Sequence, residues 1–117
     1  MKPSPPSRVD LLQGTLDLLV LRTLLFGPAH GHAIAKHIQA VSEELLQIET
    51  GSLYPALHRL EAQGWIDATW EKSEKGKRAK YYRLTSPGRK HLVAERMKWE
   101  TFARAMGLVL KPTGEEA

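Results

Sequence analysis

The sequence predicts an α+β domain, mainly α, and three observations carry that prediction. Three stretches in the first half repeat apolar residues at helical spacing. Two alternating segments flank a polar loop, as in a β-hairpin. A last amphipathic stretch of about twenty residues, on the order of 30 Å if helical, follows the hairpin.

The chain has 117 residues, enough for one domain with a single modest core. Apolar residues make up 42%, so the composition is that of a globular protein. There is no cysteine, which excludes disulfides and thiolate metal sites. No apolar run is long enough to span a membrane. The N-terminal MKPSPPSR lacks the apolar centre of a signal peptide, so a cytoplasmic location is expected. Residues 1–8 are expected to form a flexible arm.

From Leu11 to Phe26 the pattern is apolar on nearly all sides, broken mainly by Asp17, Arg22 and Thr23. Such a helix must be covered on nearly all sides. The domain's own core covers one face, so Leu16 and Leu19 are expected at a subunit interface. Gly27-Pro28 ends the helix. A second helix runs from His30 to Val41, with Ala33, Ile34, Ile38 and Val41 inward. His30, His32 and His37 invite a metal reading, but residues two apart do not share a helix face and no carboxylate completes a ligand set. No metal is expected. His32 and Lys36 share one face and could meet a phosphate. Ser42 to Ile48 is open between helix, turn and short strand.

The stretch Glu49 to Gly64, ETGSLYPALHRLEAQG, organises the rest. Leu53, Leu57 and Leu60 form one face, and Gly64 is the residue type that ends helices. The opposite face carries Ser52, Tyr54, Pro55, His58, Arg59 and Gln63. A helix with an apolar back and a donor-rich front suits the major groove of DNA. Pro55 sits about five residues in, so a kink or a loose first turn is expected.

Trp65 to Glu71 alternates with Ile66, Ala68 and Trp70 on one side, and Ala79 to Leu84 pairs Tyr82 with Leu84 and Tyr81 with Arg83. The hairpin between them concentrates charge. Glu71 to Arg83 holds the cations Lys72, Lys75, Lys77, Arg78, Lys80 and Arg83 against Glu71 and Glu74. That excess of four equals the net charge of the whole chain, +4. The basic character is therefore one hairpin, not a general bias. A donor-rich helix followed by a cationic hairpin makes a winged helix-turn-helix, with the helix for the groove and the wing for the backbone.

Thr85-Ser86-Pro87-Gly88 opens the last helix with hydroxyl caps and an early proline. Leu92, Trp99, Phe102, Ala103, Met106, Val109 and Leu110 fall on a heptad-like stripe. With the winged core already closed, the stripe is expected to meet a second copy, as a C-terminal dimerisation helix. The expected organisation is an arm (1–8), a winged helix-turn-helix DNA-binding domain (9–86), a dimerisation helix (87–110) and a flexible tail (111–117).

With these pieces in place, the chain resembles the PadR family of transcriptional regulators. The resemblance runs from about Leu11 to Leu110 and is carried by LLQGTLDLLVLRTL, GPAHGHAIAKHI, GSLYPALHRLEAQGWI and KYYRLTSPGRKHL. The third is the most distinctive. The family more often has Tyr at the position of His32, and often Ser-Pro where this chain has Glu49-Thr50. The resemblance implies a homodimeric repressor of the short-tailed branch, without a large C-terminal helical domain. It also implies an effector, since such regulators often answer to phenolic acids or flat aromatic drugs. Trp99 is then either such a ligand's contact or an interface core residue.

The expected partners are double-stranded DNA with an inverted-repeat operator, a second copy of the chain, and a small aromatic effector. Ser52, Tyr54, His58 and Arg59 are expected nearest the bases, with Pro55 on the same face. Thr50, Gly51, Lys36 and the wing cations Lys72, Lys75, Lys77, Arg78 and Lys80 are expected at phosphates. A winged-helix protein-interaction module is the alternative, weakened by the placement of the cations. An enzyme is not expected: there is no cysteine nucleophile, phosphate-binding glycine loop or recognisable triad. No cofactor is expected.

Overall fold

A computed structural model describes residues 13–72 and 74–114. The expected arm, residues 1–8, and the end of the tail lie outside the described residues. The elements in order are α1 (Gln13–Leu24), β1 (Ala29–His30), α2 (Gly31–Val41), α3 (Thr50–Ala62), β2 (Ile66–Lys72), β3 (Arg78–Leu84) and α4 (Ser86–Val109). The fold is a winged helix-turn-helix with a long C-terminal helix.

Helix α1 lies at the centre. Its Leu16, Val20, Leu21 and Leu24 are buried among Ile34 and Ile38 of α2, Leu53, Ala56, Leu57 and Leu60 of α3, and Leu92 of α4. It packs against α2, α3 and α4. This corrects the expectation for Leu16 and Leu92. Both are 4% exposed within one protomer and have no surface left for a partner. The first turns of α4 pack against α1 and bring Leu92 into the same core. Leu19 is partly buried and packs on the same core.

His30 caps α2, accepting at Nδ1 from the Ala33 N–H at 3.1 Å. The connector to α3, left open by the sequence, is a turn. Glu43 and Glu44 adopt φ of 54° and 63°, a left-handed conformation uncommon outside glycine. Ser42 braces it by donating to the Gln39 carbonyl and accepting from the Leu46 N–H, each at 3.1 Å.

Pro55 is the sixth residue of α3 and supplies no N–H to the carbonyl of Gly51. The first turn is nevertheless closed, because Ser52 and Leu53 both donate to the Glu49 carbonyl at 3.0 Å. Of the kink or loose first turn expected from the sequence, the loose turn is absent. Glu49 makes no side-chain cap.

The sheet has three antiparallel strands in the order β1-β3-β2. The register pairs Ile66 with Leu84, Ala68 with Tyr82 and Trp70 with Lys80. One face of the hairpin therefore runs from buried Ile66 and Leu84 outward to exposed Trp70. Strand β1 was not anticipated. It is two residues long and pairs Ala29 with Tyr82 and His30 with Tyr81. Helix α4 projects from this body, and the molecule reaches 58 Å along its long axis.

Candidate nucleic-acid interface

The apolar back of α3 fixes which side of it is free. Leu53, Ala56, Leu57 and Leu60 point inward, so Gly51, Tyr54, Pro55 and His58 form an exposed ridge at helical spacing. Thr50 and Ser52 are exposed beside it at the first turn. Each edge of the ridge is tied to a neighbour. On one side Arg59 grips Asp17 of α1 with two nitrogens, Nη2 at 2.8 Å and Nε at 3.5 Å. On the other, Glu61 accepts from Lys80 Nζ of β3 at 3.2 Å.

These ties engage two residues expected at DNA. Arg59 is expected nearest the bases, and in the free protein its guanidinium pairs with Asp17. Lys80 was expected at a phosphate, but its ammonium braces the wing against α3 and sits 5.5 Å from the Tyr82 ring. Burial pushes the Tyr82 phenol up, with Lys80 acting in the opposite direction, so the ring is a neutral wall at physiological pH.

Tyr54 leans across the entry of α2. A Cβ on Gly31 would come within 2.9 Å of the Tyr54 hydroxyl, so the absence of a side chain at 31 lets the phenol lie there. Beyond it is an open cleft of about 550 Å³. Its walls are His30, Gly31 and His32 from β1 and the start of α2, Tyr54 from α3, and Trp70, Lys77, Arg78, Ala79, Lys80 and Tyr82 from the wing. The helix and the wing therefore share a front. Arg78 lies 5.6 Å from the Trp70 ring, a cation–π distance.

The remaining cations are placed differently. Lys72 and Lys75 are exposed on the wing outside the cleft, and Lys36 is exposed on α2. His30, Trp70 and Tyr82 were not among the expected contacts, whereas His32, expected to meet a phosphate from the face it shares with Lys36, lines the cleft. Trp70 carried a signal: it continues the alternation of Ile66 and Ala68, past the point where the core ends. His30 carried none, because its position depends on pairing with Tyr81 far along the chain. Among the described residues, no group of three or more His, Cys, Asp or Glu could hold a metal ion.

At the other end of the molecule, Trp99, Phe102, Met106, Val109 and Leu110 are exposed along one stripe of α4, with Ala103 half-buried among them.

Residues 20–94 match the model of the transcriptional regulator PadR-like family. The chain belongs to that family. It is similar to the structure of a transcriptional regulator from Clostridium thermocellum, at 31% identity and a TM-score of 0.79, covering 88% of this chain and 100% of that one. A PadR family transcription regulator from Clostridium difficile is 30% identical with a TM-score of 0.71, covering 81% and 97%. A transcriptional regulator of Mycobacterium tuberculosis is 36% identical over 66 residues, 56% of this chain and 61% of that one. This PadR-like chain is thus a transcription regulator with the family's winged-helix fold. Among its described residues no helix is long and apolar enough to cross a membrane.

Proposed function

We propose that the protein is a dimeric, cytoplasmic DNA-binding repressor, with residues 9–86 as the DNA-binding unit and 87–110 as the pairing helix. The observation that carries this reading is the shared front: Tyr54 of α3 and Lys77, Arg78 and Lys80 of the wing line one cleft. A duplex laid on that front meets the Gly51–Tyr54–Pro55–His58 ridge in its major groove and the wing at its backbone. Ser52, Tyr54 and His58 read bases. The Thr50 and Gly51 amides at the helix start, Lys36, Lys72, Lys75, Lys77 and Arg78 hold phosphates. Arg59 and Lys80 hold the ridge and the wing in register.

Two copies pair through the stripe of Trp99, Phe102, Ala103, Met106, Val109 and Leu110, and the exposed part of Leu19 on α1 adds to the pairing surface. The two-fold axis then presents two α3 ridges to an inverted repeat, one turn of about 34 Å apart. Occupancy of a promoter blocks transcription. A flat aromatic effector at the seam would meet Trp99; this last step is supported by the family resemblance alone.

Selection from a random duplex pool, read out by fluorescence anisotropy, tests the reading. The expected result is enrichment of an inverted repeat whose affinity falls steeply with salt. No enrichment, with binding to acidic protein instead, would favour a protein-interaction module.

A further inference from the structure

Between the end of α3 and the start of α4 lies a tightly connected joint. Gly64, at φ 77°, ends α3, and the Trp65 N–H reaches back to the Leu60 carbonyl at 3.1 Å. Thr85 then closes on the same two residues. Its hydroxyl donates to the Gly64 carbonyl at 2.7 Å, and its backbone N–H donates to the Trp65 carbonyl at 3.1 Å. The same hydroxyl accepts from the Gly88 N–H at 3.1 Å, capping α4. One turn further, His91 stacks on the Trp65 indole, with ring centres 3.5 Å apart and planes 10° from parallel. Gly88 lies against this backbone so closely that a Cβ there would overlap the Trp65 carbonyl and press on Leu84. The end of α3, the root of the wing and the first turn of α4 are therefore joined by direct contacts.

We infer that this joint determines the spacing of operator half-sites, with Thr85, Gly88 and His91 as positioning residues that touch no DNA. The inference rests on the proposed dimer. In that dimer α3 reads the duplex and the far part of α4 holds the partner, so the angle at the joint converts one into the other. Trp99 lies fourteen residues beyond Thr85, about 21 Å along the helix. A change of about 10° at the joint moves Trp99 by about 4 Å, close to the ~3.4 Å rise of one base pair. The other protomer contributes the same change. A stack, a doubly used hydroxyl and a glycine with no room for a methyl group are what a lever of this length needs at its base.

The test is a series of duplexes carrying the two selected half-sites at spacings one base pair apart, together with a single half-site. It uses the full-length wild type, Gly88→Ala, Thr85→Val and His91→Ala. Sedimentation and thermal unfolding first establish which variants are folded dimers; His91→Ala and Thr85→Val keep the test open if Gly88→Ala does not fold. The expected result is a wild-type optimum at one spacing. In the variants the optimum moves by about two base pairs, one from each protomer, or flattens, while affinity for the single half-site stays within about twofold. Folded dimeric variants that keep the wild-type optimum would overturn the inference alone. A loss of half-site affinity equal to the loss on the full operator would also overturn it, since the joint would then be shaping α3 itself. A wild type that binds no duplex would defeat the DNA reading, and this inference with it.

Discussion

The wing and the far half of α4 both project into solvent, but they are made of opposite chemistry. The wing exposes Lys72, Lys75, Lys77 and Arg78; α4 exposes Trp99, Phe102, Met106, Val109 and Leu110. Exposed lysines are ordinary and call for no partner. A contiguous apolar stripe on an exposed helix marks an interaction surface. The stripe is therefore informative by itself, whereas the wing is informative only through its neighbours. It gains meaning from the cleft it shares with Tyr54, and from the Lys80–Glu61 tie that fixes it against α3.

Charge placed on the stripe should produce the largest effect. Trp99→Asp combined with Phe102→Asp is expected to give monomers by sedimentation. Affinity for the inverted repeat should fall on the order of 100-fold, because the second half-site is no longer bound intramolecularly. Affinity for one half-site should hold. A persistent dimer would show that the copies pair elsewhere.

Neutralising the wing comes next. Replacing Lys75, Lys77 and Arg78 with Ala should weaken all sequences alike and reduce the salt slope by about 2.7, if each cation neutralises one phosphate. An unchanged slope would make the wing a solvated loop, and the contrast with α4 would then be between a site and a bystander. Tyr54→Ala is expected to be smaller and different in kind. It should change sequence preference at one position per half-site, by about 1–3 kcal/mol between bases if the phenol reaches a base edge. A uniform loss would make Tyr54 a backbone contact.

The smallest effect belongs to the tie on the other edge of α3. Asp17→Ala, Arg59→Ala and the double variant should give a coupling energy below about 1 kcal/mol in stability, since the pair is partly exposed. If Arg59→Ala alone changes base preference while Asp17→Ala does not, the guanidinium leaves Asp17 to read DNA.

Much of this was legible in the sequence because it is local. Helical spacing located α1 to α4, alternation located the hairpin, and charge arithmetic located the wing. What was not legible depends on which distant segment covers a face. Leucine spacing says that Leu16 and Leu92 are apolar, but not that α1 and α4 of one protomer cover each other. Arg59 and Asp17 are 42 positions apart, so no pattern around Arg59 announces its partner. Strand β1 is too short to show a period, and its register with Tyr81 and Tyr82 brings His30 to the cleft. The placement of Tyr54 over Gly31 is likewise a meeting of two helices that neither sequence segment encodes alone.

Hydroxyl-radical footprinting of the wild-type dimer on its selected duplex tests the shared front most directly. Two protected backbone tracts on one face of the DNA, about 10 base pairs apart, are predicted, with the flanking part of each tract lost in the Lys75, Lys77 and Arg78 variant. A single tract, or protection that the wing substitutions leave intact, would contradict a helix and wing acting together on one duplex.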